Sequence, residues 1–165
     1  MVRRDICEQI IESDPYLHKS DHFLMGDTQL WAEIANISKF YYIPLSLATH
    51  RITEESATRS KNKINALRFR LSGNELLQYL CDKYALSAEH KKTIKIDWKN
   101  ISLTMAFHSR NSDMADRVRK EKIKFTFKNW VEYLGAKYAY IYYFIHKVLY
   151  IKNMYNRDKD YGIWR

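Results

Sequence analysis

Glycine and proline are scarce in this chain, at four and two of 165 residues. All-β folds need many more turn residues than that, so the shortage points towards helix. No glycine-rich phosphate loop occurs, which removes the common loop-based nucleotide-binding motifs. The two cysteines, Cys7 and Cys81, form no CxxC or CxxH pair and sit among apolar neighbours. They read as small buried residues rather than a disulfide framework or a zinc site, which favours a reducing compartment. No run of about 18 uninterrupted apolar residues exists, so no bilayer-spanning helix is expected. The opening MVRRDICEQ lacks the apolar core of a signal peptide. Together these absences suggest a cytoplasmic protein, either free or attached peripherally to the inner face of the cytoplasmic membrane.

Aromatic residues and positive charge are plentiful. Tyrosine alone accounts for 13 residues, and the hydrophobic fraction of 46% argues against a disordered chain. The net charge is +9, unevenly distributed. Residues 1–60 carry 6 Lys/Arg against 9 Asp/Glu, whereas residues 61–165 carry 22 against 10. A basic back half suits an anionic partner, or is simply a solvated helical surface.

Along the chain, Asp5 to Glu12 has the spacing of a short helix, and Ser13-Asp14-Pro15 ends it. Residues 14–26 read as an irregular polar loop. His18 and His22, with Asp21 beside them, have an imidazole spacing that would suit a metal only on a helix. Leu30, Trp31, Ile34 and Ala35 mark the apolar stripe of a helix beginning at Asp27. Phe40–Ile43 is rich in β-favouring residues, Pro44 breaks the run, and Leu47–Ile52 alternates apolar with polar. The pattern predicts a hairpin of two short strands. The helical period returns over 61–85, with Ser72-Gly73-Asn74 as a kink or break. Ser87 caps a further helix carrying Ile94, Trp98, Ile101, Met105 and His108 on one face and Lys91, Lys92, Lys95 and Lys99 on the other. A basic helical stretch follows Asn111-Ser112-Asp113. Tyr138–Tyr150 then forms an aromatic segment bounded by lysines, which fits either a core helix or an interfacial membrane helix.

Two readings of Asp27 are compatible. At the head of a helix it is a good N-cap, and the helix dipole favours an anion there. A carboxylate so placed also suits a general base, if an acceptor hydroxyl comes within hydrogen-bond reach.

Residues 25–60, with Asp27, Leu30-Trp31, Lys39 to Ile43, His50-Arg51 and Glu55-Ser56-Ala57-Thr58 in that order, resemble the C-terminal half of bacterial family 2 glycosyltransferases of the GT-A fold. Val2-Arg3-Arg4-Asp5 resembles the strand-to-helix step before it, so the likeness covers roughly residues 1–85. It implies that Asp27 is the catalytic base of an inverting sugar transfer from a nucleotide-sugar donor to a glycan or lipid-linked acceptor of the cell envelope. It also implies that Trp31, His50 and Arg51 bind acceptor or phosphate. The family often shows Glu-Asp where Gly26-Asp27 stands, and Tyr-Arg-x-His where His50-Arg51-Ile52-Thr53 stands. His50 either shares the chemistry or is a half-buried strand histidine. Arg51 pairs with Asp27 or a phosphate oxygen, or is a solvated charge.

The donor side of such an enzyme carries an Asp-x-Asp after a hydrophobic strand. Asp158-Lys159-Asp160 lies in a polar tail with no strand before it. The expectation is therefore a truncated, acceptor-side part that is inactive alone. It would hold no cofactor itself, and a divalent cation (Mg or Mn) would come only with the missing half.

The expected fold class is mainly α with a short β-hairpin (α+β), the C-terminal fragment of a GT-A-type α/β enzyme followed by a helical extension. The expected parts are 1–60 (catalytic-domain segment), 61–156 (basic helical extension) and 157–165 (polar tail). Apolar surface left by the front part is either covered by the back-half helices or met by self-association, and nucleic-acid binding is not expected. The alternative reading is a non-catalytic basic helical module that binds an anionic membrane surface or a partner protein.

Overall fold

The computed structural model describes residues 2–45, 60 and 62–148. These form the helices α1 (Arg4–Ser13), α2 (Pro15–Lys19), α3 (Gly26–Ile37), α4 (Lys63–Lys83), α5 (Ala88–Ser109), α6 (Ser112–Lys120) and α7 (Phe127–Lys137). An eighth helix, α8, covers 139–148. The chain divides into two compact units, Met1–Lys95 and Ile96–Arg165.

The described residues contain no strand, which corrects the expected hairpin and, with it, the GT-A fragment and the α+β class. Phe40–Ile43 is not helical, but no neighbouring strand pairs with it among the described residues. A β-favouring run becomes a strand only when a neighbour accepts its backbone hydrogen bonds, so composition alone overstated it. The other expected arm, 47–52, lies outside the described residues.

The first unit is built around Leu17, Phe23, Leu76 and Leu80, with Met25, Ala32, Tyr79 and Tyr84 packed against them. The segment expected as an irregular loop contains α2. Pro15 is pre-set for a first helical turn, and Asp14 Oδ1 caps that turn by accepting from Leu17 N at 3.0 Å. Ser72-Gly73-Asn74 does not interrupt α4. Ser72 Oγ accepts from Leu24 N at 2.8 Å, and Asn74 Nδ2 donates to Ile94 O at 3.0 Å. The polar triplet is where neighbouring chain lands on the helix, and a pattern search mistakes it for a break.

The second unit has its core at Leu103, Ala106, Ala115, Val118, Tyr133 and Ala136. α7 opens on a reciprocal capping box between Thr126 and Asn129, a device that contributes about 1 kcal/mol. Lys99, expected on the outer face of α5, is buried instead, and its Nζ donates to Lys124 O at 3.0 Å.

The scarcity of glycine shows at the helix ends. α4, α5 and α6 each stop on a non-glycine residue with positive φ: Ala85 at 47°, Arg110 at 52° and Lys122 at 54°. After α4, Leu86 N donates to Cys81 O at 2.9 Å. After α5, Asn111 N donates to Ala106 O at 2.9 Å. These bonds close the helix ends as glycine would, at a backbone cost of about 1–2 kcal/mol per residue.

Candidate functional site

α3 gives the first unit both a polar anchor and an exposed face. On its inner side Glu33 is only 6% exposed and Gln29 is also buried. Lys83 Nζ, from α4, sits between two carboxylates, 2.7 Å from Asp14 Oδ2 and 2.8 Å from Glu33 Oε2. Tyr79 OH donates to Asp14 Oδ2 at 2.8 Å, and Tyr84 OH donates to Glu33 Oε1.

Burial pushes the Asp14 carboxyl up, but hydrogen bonds from Lys83, Tyr79 and Leu17 N outweigh it and hold the group below its ordinary value. Burial likewise opposes charge on Lys83, yet its bonds to Asp14 and Glu33 raise its value. Burial, with the Glu33 bond, pushes Tyr84 up to about 12. Every charged member has a close partner of opposite sign, so the cluster reads as the clamp that holds α2, α3 and α4 in register rather than as a reactive centre.

On the opposite side of α3, Asp27 and Trp31 are one turn apart and both exposed. Asp27 is the second residue of the helix rather than its N-cap, which is Met25, and Asp27 Oδ1 accepts from Thr28 N at 2.8 Å. Trp31, expected on the inward stripe, is 46% exposed. It forms one wall of an open groove of about 740 Å³ whose other walls include Arg3, Ile34, Lys39, Phe40 and Tyr41. Tyr41 is 88% exposed. Arg3 is held by Asp5, with Nη2 2.6 Å from Oδ2.

Asp27 lies a turn beyond the groove's walls. The arrangement thus offers flat aromatic faces, two cations at the rim and a carboxylate within reach. It can stack against a ring-shaped polar ligand, hydrogen-bond its hydroxyls and accept a proton. His50 and Arg51, the other predicted site residues, lie outside the described residues.

The histidines considered for a metal do not share a helix, because α2 ends at Lys19. His22 Nε2 is 3.9 Å from Glu75 Oε2, and burial lowers the His18 value. Among the described residues, no group of three or more His, Cys, Asp or Glu is disposed to hold a metal ion. No described helix is long and apolar enough to cross a membrane. A second groove of about 580 Å³, lined by Ala32, Leu77, Cys81, Tyr84, His90 and Ile94 among others, is largely hydrocarbon and holds no carboxylate beside its single imidazole.

Sequence reading reached Asp27 and Trp31 but missed the Asp14–Lys83–Glu33 clamp and the contribution of Lys39, Phe40 and Tyr41 to the groove. The second was within reach, since an unpaired aromatic run beside Trp31 is itself a signal. No protein family, curated protein or solved structure matches the chain.

Proposed function

We propose that the first unit presents the acceptor side of a glycosyl transfer. A sugar or sugar-bearing acceptor lies on Trp31, Phe40 and Tyr41, and Asp27 serves as base. The acceptor hydroxyl oxygen attacks the anomeric carbon of a nucleotide-sugar held by a separate donor-binding half, without which this chain is inactive. The bond from that carbon to the nucleotide diphosphate breaks, the diphosphate leaves with the electron pair, and the hydroxyl proton passes to Asp27. The observation that supports this reading is the open aromatic groove one helical turn from an exposed carboxylate. The order of Asp27, Leu30-Trp31 and Lys39 to Ile43 is what carries the family resemblance, while the helical fold of the described residues departs from the fold that the resemblance implies.

The test is saturation-transfer NMR of the purified chain against a panel of envelope and polysaccharide oligosaccharides. Weak binding is expected. Trp31→Ala should weaken it about tenfold or more with an unchanged circular dichroism spectrum, because the main stacking face is removed while a half-exposed side chain contributes little to the core. Asp27→Asn should leave binding within about twofold, since the base acts on the proton rather than on affinity. Absence of glycan binding by the unmodified chain, or binding indifferent to Trp31→Ala, refutes the reading.

A further inference from the structure

We propose that the second unit docks on an anionic lipid bilayer through the elbow between α6 and α7, with Phe127 entering the acyl boundary and Lys122, Lys124 and Lys128 lying on headgroup phosphates. Phe127, the first residue of α7, is 86% exposed, a position from which a phenyl ring adds nothing to the fold. Trp130, one turn on, is also exposed at its edge, while its ring packs on Phe125 and Tyr133. Aromatic rings projecting from a helix start among lysines have the makeup of a membrane-interface anchor.

Charge complementarity selects the occupant. Residues 117–128 hold six Lys/Arg against one acid, Glu121. Arg117, Arg119, Lys120, Lys122, Lys124 and Lys128 are all exposed. An open cleft of about 570 Å³ beside the elbow is lined by Arg119, Lys120 and Lys122 together with Asp116 and Tyr133. The Asp116 carboxylate does not repel a phosphate at full strength, because Tyr133 OH donates to it at 2.7 Å and Lys137 Nζ lies 3.1 Å away.

α8 repeats the pattern. Its inner side faces Phe107, with the Tyr142 ring 5.0 Å and the His146 ring 5.8 Å away. Its other side sets Tyr140, Tyr143, Phe144 and Val148, all exposed, around Lys147. Phe144 and Val148 have no hydrogen-bonding capacity and gain most from hydrocarbon. A nucleic acid would instead favour arginines interleaved with aromatics on a stacking platform. Here Arg110 and Arg119 are engaged with the protein's own rings, Arg110 over Tyr142 and Tyr143 and Arg119 over Trp130 and Tyr133.

This inference is independent of the acceptor reading of the first unit, and its test leaves that reading untouched. The full chain is sedimented with vesicles of equal parts phosphatidylglycerol and phosphatidylcholine, with vesicles of phosphatidylcholine alone, and titrated with a short single-stranded oligonucleotide. Binding to the anionic vesicles at low salt is expected, falling as salt rises, with little binding to the neutral ones. Phe127→Ala should weaken partitioning about tenfold at unchanged thermal stability. Reversing Lys122, Lys124 and Lys128 to Glu should abolish it. Phe144→Ala provides a second probe on α8. No binding to anionic vesicles, equal binding to neutral ones, indifference to both the phenylalanine and the lysine changes, or capture of the oligonucleotide in preference to vesicles would overturn the proposal.

Discussion

Replacing Lys83 by methionine is expected to destabilise the protein by about 3–5 kcal/mol, read as a fall in the urea midpoint. The chemistry is local and severe. Lys83 Nζ is 2.7 Å from Asp14 Oδ2 and 2.8 Å from Glu33 Oε2, and both carboxyl side chains are at most one-tenth exposed. Without the ammonium, two carboxylates share a poorly solvated site, with the Tyr79 and Tyr84 hydroxyls as their remaining side-chain donors among the described residues. One of them must take up a proton or the site must open to water. Neutralising the acids in the same background, with Asp14→Asn and Glu33→Gln, should recover most of the loss. These positions share one network, so their effects do not add. A loss below about 1 kcal/mol for Lys83→Met would show instead that water already solvates the clamp.

The same clamp sets a pH window. The Asp14 value is lowered on folding, so its contribution is present above the ordinary 3.8 and is lost as pH falls through the lowered value. The Lys83 value is raised, so its contribution is complete below the ordinary 10.5 and is lost as pH rises through the raised value. Tyr84, pushed up to about 12, adds to the alkaline limb. Urea midpoints should therefore form a plateau between about pH 4 and pH 10, falling on both sides. In Lys83→Met the alkaline fall due to Lys83 should vanish.

Gly135→Ala should also destabilise, although alanine is the better helix former. A β-carbon at this position in α7 would lie 2.6 Å from Phe107 Cδ2, closer still to Cε2, and 3.5 Å from Ile145 Cδ1. The Phe107 ring is buried and stacks parallel to His146, with 2° between the planes, so a sideways shift disturbs a second ring. Overpacking of this kind costs about 1–3 kcal/mol, against about 0.5–1 kcal/mol gained from backbone propensity. The expected result is a lower melting temperature, relieved by adding Phe107→Leu. A rise in melting temperature for Gly135→Ala alone would mean that the ring has room to move. Gly73 faces a softer neighbour, because the atoms its β-carbon would meet belong to the end of the flexible Met25 side chain.

These positions also show what could be read from the chain and what could not. Helices survive translation from sequence well, because their period and stop signals are local. The expected bounds Asp5–Glu12 lie within a residue of Arg4–Ser13, and the expected start at Asp27 within a residue of Gly26. The clamp was not legible, because Asp14 and Lys83 are 69 residues apart and Glu33 and Lys83 are 50 apart. Glu33 also turns inward where an apolar-period search looks for leucine. That displacement carries Trp31 outward, off the inward stripe on which its spacing had placed it. The strand failed for a different reason. Phe40–Ile43 has the right residues, but a sheet belongs to a pair of segments and not to either one. Asp27 stood out because helix starts have chemical signatures, but the signature overstated its cap role, since the cap position of α3 belongs to Met25.

Lys99 gives the second unit a built-in reporter. Among the described residues it alone of the lysines is buried, and burial lowers its value below the ordinary 10.5. An amine-reactive reagent added to the native protein will therefore modify the solvent-facing lysines first and reach Lys99 only when α5 parts from the segment containing Lys124. The labelling rate at that one amine, followed by mass spectrometry, then measures how often the second unit opens, without denaturant and separately from the first.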